Sequence, residues 1–294
     1  MKKNKLAGFA VPYVGWMALF VVIPILIMVD YAFTNTAFDP TLDSFARMGD
    51  YLSVFARSFE LALIATLVCL LIGYPVSYLM AREGAGFQRM AMALIMLPMW
   101  MNFLLRTYSW MSILENNGLL NQLFQKLGVI DLYNSIAMAL SAEPDKYIPI
   151  THFQMIGTPG AVVLGMVYNY LPFMILPIYS VIVKLDGSLL EAARDLGANS
   201  AGVFRKVILP LSLPGVLSGV TMVFVPSVST FAISRLLGGG TQMMLGDLIE
   251  QQFLGGAYNP HLGAAISLVM MVVVVVCMVV MNHFGEGEEQ AVML

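Results

Sequence analysis

The sequence predicts an all-α polytopic membrane bundle of about six transmembrane helices, forming a single domain over 1–294. Two observations carry this. Hydrophobic residues make up 59% of the 294 residues and charged residues only 11%, whereas soluble domains are about a quarter charged. The apolar residues also gather into six runs of about 20, the length that crosses a bilayer's hydrocarbon core. Lipid offers backbone groups no outside partner, so such runs must be helical.

The first run, 8–33, follows Lys2, Lys3 and Lys5. It is longer than the about 7–15 residues of a signal-peptide core, and no small-x-small cleavage site follows it. It is therefore a retained span with its lysines in the cytoplasm. The second span covers 59–80 and ends in a short loop with Arg82, Glu83 and Arg89. The third, 90–113, is interrupted by Pro98, and Trp100, Asn102, Arg106, Thr107, Tyr108 and Trp110 crowd its second half. An external segment, 114–158, carries short surface helices around 119–127. The fourth span, 160–183, contains Pro172 and Pro177. The fifth, 214–234, contains Pro226. The sixth, 262–281, is nearly all Val and Met, and its length in lipid outweighs the strand preference of β-branched residues.

With both termini cytoplasmic, the inner side holds nine bases: Lys2, Lys3, Lys5, Arg82, Arg89, Lys184, Arg194, Arg205 and Lys206. The longer outer loops hold six: Arg47, Arg57, Arg106, Lys126, Lys146 and Arg235. This is the expected inward bias of positive charge.

One polar island stands out, the loop 184–213 between spans four and five. Leu189, Ala192, Ala193 and Leu196 lie at i, i+3, i+4 and i+7, one face of a helix, with Glu191, Arg194 and Asp195 opposite. Ser188 with Glu191 reads as a capping box, and Gly197 as the C′ glycine that ends the helix. Asn199 or Ser200 caps a second short helix. Arg205 and Lys206 sit in its last turn, opposing its dipole, and Pro210 and Pro214 stop it before the fifth span.

This island resembles the cytoplasmic loop of ABC-importer permeases: E-A-A, three residues, G, nine residues, I, one residue, L-P. Here Glu191-Ala192-Ala193, Gly197, Val207, Leu209 and Pro210 match, with Val207 in the place of isoleucine. The likeness extends through Leu97–Tyr108, Tyr170–Met174 and Lys184–Ala198 to the permease subunits of spermidine/putrescine ABC importers. It implies a type I importer fold with cytoplasmic coupling helices in a bacterial inner membrane. It implies that Glu191, Ala192, Ala193, Arg194, Asp195, Gly197, Leu209 and Pro210 serve ATPase coupling. The implied partners are two ATPase subunits that bind ATP-Mg, a second homologous permease and an external binding protein. The same loop also suits a permease for another organic cation, an amino-acid derivative or a metal chelate.

Candidates for the substrate path are polar or aromatic groups in the spans or at their outer ends: Asn102, Tyr108, Trp110, Glu115, Tyr168 and Asn169, with Tyr170 and Ser180 beside them. Arg106 reads as snorkelling to the outer surface, and Trp100 and Trp110 also fit an interfacial belt. Asn169 satisfies the helix broken by Pro172 or binds a ligand amine. Glu115, just past the aromatic span, is the preferred acid for a cation. Glu191 serves as a cap, an ATPase contact or both.

Other chemistries find no foothold. The chain lacks a GxxxxGK[ST] phosphate loop, so it cannot be its own ATPase. His152, His261 and His283 are far apart and read as surface residues, with no metal-ligand spacing and hence no metal site. Cys69 and Cys277 lie in apolar runs and read as inert. No catalytic residue is assigned, because no serine has a nucleophile-elbow context. No basic block suggests nucleic acid, and a membrane enzyme or stand-alone channel lacks a supporting motif.

Overall fold

The computed structural model describes residues 11–140 and 147–292, of which 282–292 are described as backbone only. Lys2, Lys3, Lys5, Lys146 and the start of the first run lie outside the described residues. No strand occurs among them beyond one isolated bridge between Thr34 and Pro40. Among the described residues, five helices are long and apolar enough to cross a membrane, or six if one bent pair counts as a span. The chain divides into two compact units, Met1–Phe55 with Leu248–Cys277 and Ala56–Asp247 with Met278–Leu294.

In the first unit, α1 (Val11–Ala32) is exposed along nearly all of its length. Its middle is a π-turn, Ala18–Val22, and the Ile23 N–H closes the widened ring on the Ala18 carbonyl. Pro24 follows directly. Proline brings no N–H and its ring crowds the carbonyl four residues back. A π-turn ending on the preceding residue takes up both defects, so the helix continues. A short helix, α2 (Asp43–Arg47), follows a loop. His261 is buried, which corrects its expected surface location. Its ring stacks on Tyr31 at 5.0 Å, and Nδ1 donates to the Tyr31 carbonyl over 3.1 Å.

In the second unit, α3 (Leu52–Arg82) keeps Pro75 inside an unbroken helix. The expected third span is a bent pair. α4 (Ala85–Met96) runs into a 3-10 turn, Leu97–Trp100, and α5 (Phe103–Leu114) restarts after a bend of 91°. Pro98 starts the departure from α-geometry, and the chain turns at Met101–Asn102. The Asn102 side chain caps α5, accepting from the Leu104 N–H at 2.9 Å and the Leu105 N–H at 3.3 Å. Two surface helices follow, α6 (Leu119–Lys126) and α7 (Val129–Leu140). α8 (Pro159–Ile182) agrees closely with the expected fourth span. α9 (Gly187–Asp195) is the first docking helix.

α10 (Ser200–Ser229) overturns the expected role of two prolines. Pro210 and Pro214 do not stop a helix; they lie within one that is continuous for 30 residues. The reason repeats that of α1. Phe204–Ile208 is a π-turn, and Leu209 N–H bonds the Phe204 carbonyl just before Pro210. Arg205 and Lys206 therefore occupy an interior turn near a helix N-terminus, and the expected dipole argument for them fails. α10 ends at Ser229 rather than at 234, because Thr230 is extended, and α11 (Ala232–Leu237) restarts beyond it. Further on lie α12 (Leu245–Leu254) and α13 (Pro260–Val292), most of both within the first unit.

α8 and α10 pack through small residues. A Cβ on Gly215 would stand 2.9 Å from the Pro177 carbonyl oxygen, and one on Gly219 2.8 Å from Met174 Sδ. Between membrane helices, such close backbone approach replaces the hydrophobic driving force that water would supply. Ser77 adds a cross-link from α3, donating to the Ile175 carbonyl on α8 at 2.9 Å.

Candidate functional site

The polar island folds as a capped hairpin of α9 and the start of α10. Its first cap is Asp186, not Ser188. The Asp186 carboxylate accepts the Ser188 N–H at 2.9 Å and starts the helix at Gly187. Both residues are good caps, but a full negative charge also meets the positive helix end. That bond holds the Asp186 carboxyl below its ordinary value. Glu191 therefore closes no capping box. It is exposed and makes no side-chain hydrogen bond among the described residues.

The C-terminal end of α9 matches expectation. Gly197 adopts φ +84°. Its N–H bonds the Arg194 carbonyl at 2.8 Å, and the Ala198 N–H bonds the Ala193 carbonyl at 3.0 Å. These are the two bonds of a Schellman ending. Asn199, not Ser200, then caps α10 through the Gly202 N–H at 2.8 Å.

Two faces of α9 have different fates. Leu190 and Ala193 turn inward, half-buried. Beneath the helix lies a cavity of about 240 Å³ bordered by Tyr78, Arg82, Leu185, Leu190, Arg194 and Val203. Leu189 and Ala192 turn outward, and Leu196 is 89% exposed. An apolar stripe is thus left uncovered on a capped, charged hairpin.

The hairpin is tied to the bundle at the π-turn. Phe204 inserts between two rings of α3, edge-on to Tyr74 at 5.8 Å and Tyr78 at 5.4 Å. Tyr74 Oη and Ser212 Oγ share a 2.9 Å bond from α3 to α10, and Arg82 donates to Tyr78 Oη at 3.0 Å. Leu209 and Pro210 follow this wedge inside α10 rather than in a loop. The hairpin is thus joined by side-chain contacts to α3 at the start of α10.

The family model for "Binding-protein-dependent transport system inner membrane component" matches residues 73–287. The chain belongs to that family. The permease is 38% identical over 273 residues to the spermidine/putrescine transport system permease protein PotB of Salmonella typhimurium strain SL1344, covering 90% of this chain and 88% of that one. PotB of Escherichia coli K12 is 37% identical, with 90% and 91% covered. Among solved structures, a bacterial ABC transporter importing alginate has a TM-score of 0.77 at 14% identity, covering 96% of this chain and 94% of that one. The fold is that of an ABC-transporter permease, and the protein is a multi-pass inner-membrane transport subunit rather than an enzyme.

Within this permease the candidate path residues separate into two groups. Trp110 on α5 and Tyr168 on α8 meet edge-to-face at 5.4 Å. Asn169 is buried beside them in sequence and donates to the Gly165 carbonyl at 2.8 Å, while its Oδ1 has no partner among the described residues. It bonds the carbonyl one turn back, not the one that Pro172 frees. Arg106 joins this first group, which corrects its expected snorkelling. It is buried, and its guanidinium lies 5.9 Å from the Tyr168 ring centre. The second group is not gathered there. Asn102 caps α5, Tyr108 is 47% exposed, and Glu115 is exposed at the end of α5. Ser180 is exposed and bonds the Pro177 carbonyl at 2.8 Å. Sequence reasoning missed Gly215 and Gly219, whose small-xxx-small spacing in an apolar run was the available signal.

Proposed function

We propose that this permease carries polyamines, spermidine or putrescine, delivered by an external binding protein. The 37–38% identity to curated spermidine/putrescine permeases over nine-tenths of the chain carries the reading. The Trp110–Tyr168 pair supports it, because aromatic faces attract ammonium groups by about 0.5–2 kcal/mol each. Both termini and the loop 184–213 face the cytoplasm, and 1–294 acts as one permease domain. A second homologous permease and two ATPase subunits holding ATP-Mg complete the assembly. The ATPases grip the Leu189–Leu196 face with Glu191, Arg194 and Asp195 around it. Their closure moves α9, and the Phe204 wedge passes that motion to α3 and α10, switching access across the membrane. Trp110, Tyr168 and Asn169 line the path, with Tyr108 and Glu115 nearer the outside.

Vesicles holding the full assembly test this. ATP-dependent uptake of labelled spermidine or putrescine is expected, with loss when Tyr168→Leu removes the aromatic face. Uptake of neither amine, with retained uptake of another solute, overturns the cargo assignment.

A further inference from the structure

Arg106 is a charged side chain inside a membrane protein with too few partners. It is 8% exposed, and its Nε and Nη1 have no hydrogen-bond acceptor among the described residues. A buried charge left in this state is costly, and in a membrane protein it marks a functional site by default. Its guanidinium lies over the Tyr168 ring, 5.9 Å from the centre, and the neighbour of that ring is Trp110. That ring face is also the one proposed above for a cargo amine.

We infer that Arg106 is a tethered stand-in for the cargo's ammonium group. In the empty permease it occupies the Tyr168 face and places a fixed positive charge in the passage. Free amines are thereby kept from passing without the transport cycle. A delivered polyamine takes the same face and displaces the guanidinium, which is held by no hydrogen bond from those two nitrogens. Arg106 thus sets specificity by competing with the cargo, and this rests on the path reading given under Proposed function.

The test uses the complete importer in sealed proteoliposomes without ATP. Efflux of labelled putrescine is compared with that of an uncharged polyol of similar length. R106Q should release putrescine about thirtyfold faster than the wild type, the worth of one desolvated cation–π contact, with polyol efflux unchanged. R106K keeps a tethered cation and should hold the wild-type seal. Equal acceleration of both solutes in R106Q means disturbed packing and overturns the inference. So does R106K leaking like R106Q. If R106Q does not assemble, R106K against the wild type still decides. Unchanged ATP-driven uptake by Y168L sinks the path reading and this inference with it. Impaired uptake by Y168L with an unaltered putrescine seal in R106Q sinks the inference alone.

Discussion

The docking hairpin and the Arg106 cluster are both polar intrusions in an apolar chain, and they treat their polar groups in opposite ways. In the hairpin, Asp186, Gly197 and Asn199 close the helix ends with local bonds, and the remaining charges face water. In the cluster, Arg106 and Asn169 are buried with atoms that find no partner among the described residues. A part that transmits force must hold one shape, so its bonds are made internally. A part that exchanges ligands must keep some bonding capacity open. Under the proposed function, that difference distinguishes the coupling element from the substrate path.

That contrast is most severely broken by separating the helices that hold both regions. Gly215→Val would drive its side chain against the Pro177 carbonyl and Ile178 Cα, atoms that cannot step aside. A loss of about 3 kcal/mol is expected, read as a lower melting temperature in detergent and poor recovery of the assembled importer. A melt like that of the wild type would show that α8 and α10 do not depend on this contact.

A smaller effect tests the stiffness of the hairpin. Gly197 has open space around it, so Gly197→Val acts only through the strain of φ +84°. About 2 kcal/mol is expected, with cargo-stimulated ATP hydrolysis reduced and Gly197→Asn restoring most of it. Equal loss in the valine and asparagine variants would argue against backbone strain as the cause.

Glu191 sharpens the comparison, since it is not a cap. Glu191→Ala should leave the helicity and melting of the permease unchanged. It should weaken ATPase binding roughly tenfold, one charge-assisted contact. ATPase association measured at wild-type strength would remove Glu191 from the coupling surface.

The mildest change concerns pH. The Asp186 carboxyl is held below its ordinary value, so its cap is complete above the ordinary aspartate range and is lost as pH falls through the lowered value. Amide exchange at Ser188, taken relative to its intrinsic base-catalysed rate at each pH, should therefore be steady through neutral pH and rise only in acid. Asp186→Ala should raise it at neutral pH, whereas Asp186→Asn, still a cap, should not. Exchange in Asp186→Ala that matches the wild type would show that the cap contributes nothing.

Much of the hairpin was legible because its determinants are local. Gly197 at the helix end and the polar face of α9 follow from spacing alone. The starting cap was misread by two residues, because Asp186 and Ser188 are both competent and only the bond formed decides between them. Pro210 and Pro214 misled for a different reason. The rule that proline ends helices assumes an ordinary turn ahead of it, and the π-turn at Phe204–Ile208 removes that assumption. Arg106 and His261 were expected at the surface because burial of a polar residue is set by distant segments. Tyr168 and Tyr31, which receive them, are 62 and 230 residues away in the chain.

The widened turn before Pro210 also preserves the phase of the helix after it. It spends one residue more than an α-turn, and one residue corresponds to about 100° of rotation. Because the wider turn absorbs that residue within a single loop, removing one residue there to restore an α-turn would leave Gly215 and Gly219 facing α8, whereas removing one elsewhere between Asn199 and Gly215 would rotate them by about 100°. In this permease one widened turn both admits Pro210 into an unbroken helix and tolerates a residue more than the regular spacing, with the glycine contacts to α8 kept.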